Sequence, residues 1–270
     1  MFQLIIFYWG DILEKSKEKQ ISIILSKYIP LLKNNYRVHE LKKEHLLKNK
    51  DHEDCFIIKD GSVLARDEKG KTFTLEPGAP IGFAEALISK PYELDYFLKE
   101  EVTVFAFKSS SLRKAFAVSS SLTRGMIKYS LDRIFHNNKS KTYHLIDDGF
   151  LSKQEVKFPI KDYNDDETIF MRNQKPKFFF YVESGQVQLV SKLDKVIATF
   201  NPGDSFGEMA LFTDRVRAAT AKSVGNTTVH AVGVDFIKDY FEKEDILVKF
   251  VLICILERLR AMNNLRNLIT

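Results

Sequence analysis

Phe206-Gly207-Glu208-Met209-Ala210-Leu211-Phe212-Thr213-Asp214-Arg215-Val216-Arg217-Ala218-Ala219-Thr220 is the stretch from which fold and function are read. Asn201-Pro202-Gly203-Asp204-Ser205 before it is a turn signal. Gly207 permits close backbone approach to a ligand. Glu208 to Phe212 are helix-forming residues, soon interrupted by Asp214 and the β-branched Val216. One short helical turn is expected there, with its first N–H groups unpaired and suited to a phosphate. Arg217 follows nine residues after Glu208, where a strand-like Ala218-Ala219-Thr220-Ala221 run begins. A carboxylate accepts hydrogen bonds from sugar hydroxyls, and a guanidinium grips phosphate with two-pronged charge-assisted bonds. One acid and one arginine around a turn therefore suit a ribose phosphate. The same pair could instead form a salt bridge beside a turn that binds nothing.

The stretch closely resembles the phosphate-binding cassette of cyclic nucleotide-binding domains, as in cAMP-dependent kinase regulatory subunits and catabolite activator proteins. The family pattern is Phe-Gly-Glu, an apolar residue, Ala-Leu, a variable stretch, then Pro-Arg-Ala-Ala-Thr. Here it reads Phe206-Gly207-Glu208-Met209-Ala210-Leu211, then Val216-Arg217-Ala218-Ala219-Thr220. Val216 replaces the usual proline, which removes rigidity but no contacting group. The resemblance implies that Glu208 takes the ribose 2′-hydroxyl and Arg217 the cyclic phosphate. Backbone N–H groups around Ala210 and Ala218 complete the cradle. The implied ligand site is thus Gly207, Glu208, Met209, Ala210, Arg217, Ala218 and Ala219. Ala218, where relatives selective for cGMP often carry threonine, leans the expectation towards cAMP. A cyclic dinucleotide presents the same groups and stays open.

At 270 residues, about two domains are expected. Apolar residues make up 44% and charged residues 29%, a balance that excludes a disordered chain. The net charge of +5 favours anionic ligands without demanding nucleic acid. Cys55 and Cys254 sit in apolar runs and read as buried free thiols in a reducing cytoplasm, not as a zinc site. Met1 to Gly10 is apolar but far shorter than the roughly 20 residues of a membrane span, and lacks a basic leader. It is expected to dock on the protein itself or on a second subunit. The expected location is the cytoplasm.

Along the chain, Asp11 to Lys50 reads as mostly helical, with Pro30 bending the run. From Cys55 the period changes to strand, Asp60-Gly61 turn and strand; Lys71–Leu75 and Val102–Phe107 are further strands. Leu112 to Phe135 returns to helical spacing. The order recurs: Phe178–Val182, a turn at Gly185, Gln186–Val190, Val196–Phe200, Thr227–Val234, then helices over Phe236–Phe241 and Asp245–Leu268. Gly61 matches Gly185 and Pro77-Gly78 matches Pro202-Gly203, an offset of about 124 residues. The expected fold is α+β: two tandem antiparallel β-roll (jelly-roll) domains, each flanked by helices. The expected domains are 1–148, with an N-terminal helical segment, and 149–270, with a C-terminal lid helix. The likeness to the cyclic nucleotide-binding fold runs well over 149–270 and weakly over 16–145.

In the first half, matching Ala86-Leu87 to Ala210-Leu211 puts Ala84 at the place of Glu208 and Glu93 at that of Arg217. A carboxylate there repels a phosphate. The first domain is therefore expected to be a degenerate copy that binds no cyclic nucleotide. Asp165-Asp166-Glu167 reads as a solvated turn into a strand; it lacks the glycine and the distant glutamate of a calcium loop. Asp245 to Leu256 is apolar nearly all round, so that helix should be buried on several sides.

No Gly-rich nucleotide loop with lysine, nucleophile elbow or His-Glu-x-x-His is present, and the six histidines form no spaced pair. The expectation is not an enzyme but a cyclic nucleotide sensor, without cofactor or metal. Its partner would be a protein or a second copy reached through the terminal helices. No membrane is expected, and no DNA-reading helix-turn-helix follows the last helix. A ligand-free tandem scaffold is the competing reading.

Overall fold

The computed structural model describes residues 28–42, 53–68, 70–136, 158–208 and 216–267. The N-terminal apolar stretch, the helical reading of 11–27 and the 148/149 boundary lie outside the described residues. The chain forms two compact units, 1–114 and 115–270. The helix after residue 120 accordingly belongs to the unit that holds the second set of strands.

The first unit opens with a 3-10 turn, Ile29–Leu32, and then strand β1, Tyr36–Leu41. This strand corrects the helical reading of 11–50 over residues 36–41. Tyr-Arg-Val-His-Glu-Leu is an edge strand exposed over four of its six positions, so no buried face marks it in the sequence. Strands β2 (Asp54–Asp60), β3 (Val63–Arg66), β4 (Thr72–Leu75), β5 (Pro80–Ile81), β6 (Asp95–Leu98) and β7 (Val102–Lys108) follow, with helix α1 (Phe83–Ile88) after β5. One sheet runs β1-β7-β2-β5 and the other β4-β3-β6. Every pair is antiparallel. Phe56, Ile58, Val104 and Ala106 from the first sheet meet Val63, Ala65, Tyr96 and Leu98 from the second in one core. Gly61 ends β2 at φ +85° and sends the chain into β3.

Helix α2 (Ser109–Val118) crosses from one unit into the other; α3 (Ser121–His136) belongs to the second. The expected single helical run thus breaks at Ser119-Ser120. Ser120 explains the break: its Oγ accepts from the Thr123 N–H at 3.2 Å, an N-cap that starts α3.

The second unit contains β8 (Ile160–Tyr163), β9 (Thr168–Phe170), β10 (Phe178–Val190), β11 (Val196–Phe200), β12 (Ser205–Phe206) and β13 (Thr220–Gly233), then α4 (Val234–Glu242) and α5 (Ile246–Asn267). The sheet runs β11-β10-β13-β8, with β12 on β10 and β9 on β13. Sequence marks a turn at Gly185, but β10 passes through it as one bulged strand. The bulge flips the side-chain parity: Phe180 and Val182 before it and Val187 after it all enter the same core. Gly185 is required there, since a Cβ would meet the Asn226 carbonyl oxygen at 2.4 Å. The acidic turn before β9 has Asp166 at φ +57°. The Asp165 carboxylate accepts from the Gly225 N–H at 2.7 Å.

The run from Leu247 to Leu256 is buried almost throughout, as its all-round apolar character predicts. Asp245 caps α5 through the Leu247 N–H at 2.7 Å, and the helix packs on α3. Both cysteines are buried, and neither is in a disulfide. No helix among the described residues is long and apolar enough to cross a membrane.

Candidate ligand-binding site

The site begins where β12 ends. Gly207 takes φ +87°, a conformation open to glycine and costly for other residues. Its missing side chain makes room for an arginine: a Cβ here would lie 2.6 Å from Arg217 Nη1. The chain turns helical at Glu208, and 209–215 lie outside the described residues, so the Met209 and Ala210 assignments rest on sequence alone.

Arg217 is fixed at both its backbone and its side chain. Its N–H donates to the Gln174 carbonyl at 2.9 Å, and its own carbonyl accepts from Asn173 N–H at 2.8 Å. Nη1 donates to the Gly207 carbonyl at 2.6 Å, and Nη2 donates to the Phe178 carbonyl. The guanidinium carbon stands 4.0 Å from the centre of the Phe170 ring and 6.0 Å from that of Phe180, over an aromatic floor that favours a cation. Arg217 is only 4% exposed, and its buried Nε has no hydrogen-bond acceptor. Among the described residues, no carboxylate hydrogen-bonds this guanidinium. Burial lowers its pKa to about 10, and the nearby Glu208 charge restores only part of the difference. At neutral pH it therefore remains a buried cation held by neutral acceptors.

The neighbouring backbone is open in the same place. Ala218 is exposed and Ala219 buried. Among the described residues, neither N–H has a hydrogen-bond acceptor before β13 begins at Thr220. A buried guanidinium beside unpaired N–H groups is a site for an anion.

Glu208 is 2% exposed, and its partner is not Arg217. Its Oε1 accepts from Arg133 Nη1 on α3 at 2.5 Å. One turn earlier on the same helix face, the Tyr129 hydroxyl donates to the Ser205 carbonyl at 2.5 Å and accepts from the Ser205 N–H at 3.2 Å. Helix α3 thus holds both β12 and the first residue after Gly207. Burial opposes the Arg133 charge, but the Glu208 carboxylate outweighs it and raises that guanidinium above its ordinary value. Burial likewise pushes the Tyr129 phenol up, against the pull of the Arg133 charge.

The bond from Arg217 to the Gly207 carbonyl therefore brings Gly207, Glu208, Arg217, Ala218 and Ala219 together. Sequence reading missed Arg133, Tyr129 and the aromatic floor. Phe170 and Phe180 are ordinary core residues by pattern, and Arg133 lies in a helix 75 residues before its partner.

Residues 160–244 match the cyclic nucleotide-binding domain family. The matched span includes Gly207, Glu208 and Arg217; Tyr129 and Arg133 lie before it. The cAMP-dependent protein kinase regulatory subunit of Dictyostelium discoideum is 22% identical over 195 residues, 67% of this chain and 58% of its own length. That of Emericella nidulans is 26% identical over 193 residues, 69% of this chain and 45% of its own. The chain thus spans about half the length of the curated relatives it matches. Among solved structures, the cAMP-bound PfPKA-R (141-441) is similar over 84% of this chain and 85% of its own at 20% identity, with a TM-score of 0.37.

Proposed function

We propose that this protein is a non-enzymatic cytoplasmic sensor that binds one cyclic nucleotide in its second unit, with cAMP favoured over cGMP. The observation that carries the reading is Arg217, a buried guanidinium whose hydrogen bonds go to two carbonyl oxygens and whose neighbours Ala218 and Ala219 present N–H groups with no acceptor among the described residues. A cyclic phosphate supplies the missing negative charge there, and Glu208 takes the ribose hydroxyl. Met209 and Ala210 belong to the ligand set on the sequence motif alone.

The first unit is a degenerate copy in this reading and binds no cyclic nucleotide. Its turn glycine, Gly82, faces the side chain of Tyr92 instead of an arginine, and Phe83, buried, follows it. Ligand binding is passed on to a protein partner or a second copy through the terminal helix α5. A ligand shifts such an equilibrium only by its differential affinity for the two states. The competing scaffold reading draws on the Glu208–Arg133 pair, which gives the carboxylate a partner without any ligand.

Calorimetric titration of the purified chain with cAMP, cGMP and cyclic dinucleotides, beside Arg217→Ala, tests both. One site per chain, lost in the variant, is the expected result. Two sites would overturn the reading of the first unit. No heat and no thermal shift with any ligand would leave the scaffold.

A further inference from the structure

We propose that Arg133 is a positioning residue of the ligand site: it holds the Glu208 carboxylate by one oxygen so that the other reads a ligand hydroxyl. This inference rests on the cyclic nucleotide reading of the site and adds a residue outside the matched family span.

The geometry assigns the role in three steps. First, the contact is specific to one oxygen. Arg133 Nη1 reaches Oε1 at 2.5 Å, and among the described residues Oε2 meets no hydrogen-bond donor. A carboxylate held at one end and open at the other presents a fixed acceptor. Second, Arg133 is itself fixed. It is buried, and its guanidinium carbon lies 5.7 Å from the ring centres of both Tyr129 and Phe200. Tyr129 in turn is bonded twice to Ser205, three residues before Glu208. The carboxylate and its holder are thus referred to the same short piece of backbone. Third, the charges balance the ligand. Arg133 neutralises Glu208, so the buried carboxylate does not repel the anion that Arg217 awaits, and the three side chains together keep one net positive charge. An unpaired Glu208 beside Arg217 would cancel that charge, or swing onto the guanidinium and occupy the place of the phosphate.

A purely structural ion pair and a positioning pair differ in what they do to ligand discrimination. A structural pair supports every ligand equally. A positioning pair supports the ligand that carries the hydroxyl. The probes are therefore cAMP and 2′-deoxy-cAMP, titrated calorimetrically into the full chain and into Arg133→Gln, Arg133→Lys and Arg217→Ala. A hydrogen bond to a charged acceptor predicts a wild-type preference for cAMP of about tenfold to 100-fold. Arg133→Gln should bring the two affinities together, to within about threefold on the same scale. Arg133→Lys keeps a charge without the planar fork and should fall between. Arg217→Ala should weaken both ligands and leave their ratio intact.

A ratio in Arg133→Gln equal to that of the wild type overturns the assignment while leaving the sensor standing. So does a wild-type ratio near one. Should Arg133→Gln not fold, an unchanged ratio in Arg133→Lys overturns it equally. Absence of cAMP binding by the wild type removes both this inference and the function on which it rests.

Discussion

The turns at Gly82 and at Gly207 share a backbone frame and differ in what fills it. Gly82 takes φ +78° and Gly207 φ +87°, each at the end of a two-residue strand. A Cβ on Gly82 would lie 2.3 Å from the Tyr92 ring, and one on Gly207 would lie 2.6 Å from the Arg217 guanidinium. Tyr92 donates its hydroxyl to the Asp54 carbonyl at 3.1 Å, at the start of β2. Arg217 donates to the Phe178 carbonyl, at the start of β10. The two side chains therefore take the same route to corresponding carbonyls. One is a neutral phenol that closes its turn, and the other is a cation to which no carboxylate among the described residues hydrogen-bonds. Phe83, buried, follows Gly82 where Glu208 follows Gly207. The difference teaches that this fold needs something to fill the space at the glycine, but does not need it to be charged.

The largest expected effect tests how much of the second turn is held by charge. Arg133→Ala leaves Glu208 buried without its counter-ion, and breaking a buried pair in this way costs about 3–5 kcal/mol. Urea denaturation should show the loss. Replacing both members by apolar residues should cost much less, because the buried charges vanish together. Next is Arg217→Ala, which should weaken cyclic nucleotide binding by about 2–5 kcal/mol, or roughly 30-fold to several thousand-fold, by calorimetry. Full affinity in that variant would place the phosphate elsewhere.

Smaller, and more direct as a comparison, is the pair Gly82→Ala and Gly207→Ala. Each puts a side chain into the left-handed region, at about 1–2 kcal/mol, and each adds a clash. Thermal denaturation should show similar losses. Only Gly207→Ala should also lower nucleotide affinity, since only there does the displaced group belong to the proposed site. Equal effects on affinity would mean that the first turn binds too.

Much of this was legible in the sequence where one residue type performs one task. Gly207, Glu208 and Arg217 stand in one short stretch, and the strands of the core announced themselves by apolar runs such as Cys55–Ile58 and Phe178–Val182. Three features were not legible, each for a physical reason. β1 is exposed along most of its length, so it carries no periodic signal. Matching Ala86-Leu87 to Ala210-Leu211 places Glu93 opposite Arg217. The glycines instead set the register by one residue less, making Tyr92 the counterpart and leaving Glu93 exposed. Arg133 is invisible because a buried ion pair across 75 residues is a property of packing. Its helix reads as the closing element of the first half, whereas it packs in the unit that contains Glu208.

Tyr92→Phe isolates what the neutral plug contributes. It removes the hydroxyl bond to Asp54 and keeps the ring against Gly82. A loss of about 0.5–1.5 kcal/mol in stability is expected, with nucleotide affinity unchanged. A change in affinity would tie the first turn to the site.

The smallest expected effect is no effect at all, and it separates the two turns by their protons. Arg217 is a base whose pKa is lowered by burial to about 10. It is protonated in the folded and the unfolded chain at every pH well below that value, so its charge does not change between pH 6 and pH 9. A cyclic phosphodiester is singly charged over the same interval. Calorimetric affinity for cAMP should accordingly be flat with respect to Arg217 across it. As pH rises through about 10, the folded protein gives up the Arg217 proton before the unfolded chain does, and the attraction for phosphate goes with it. Bound anion favours the charged form and shifts that loss to higher pH, so binding in alkaline solution should take up protons. Tyr92 contributes no such step: burial raises its pKa above the ordinary phenol value, and its turn remains neutral throughout. Affinity that already fell between pH 7 and pH 9 would show that a group other than Arg217 carries the charge the ligand meets.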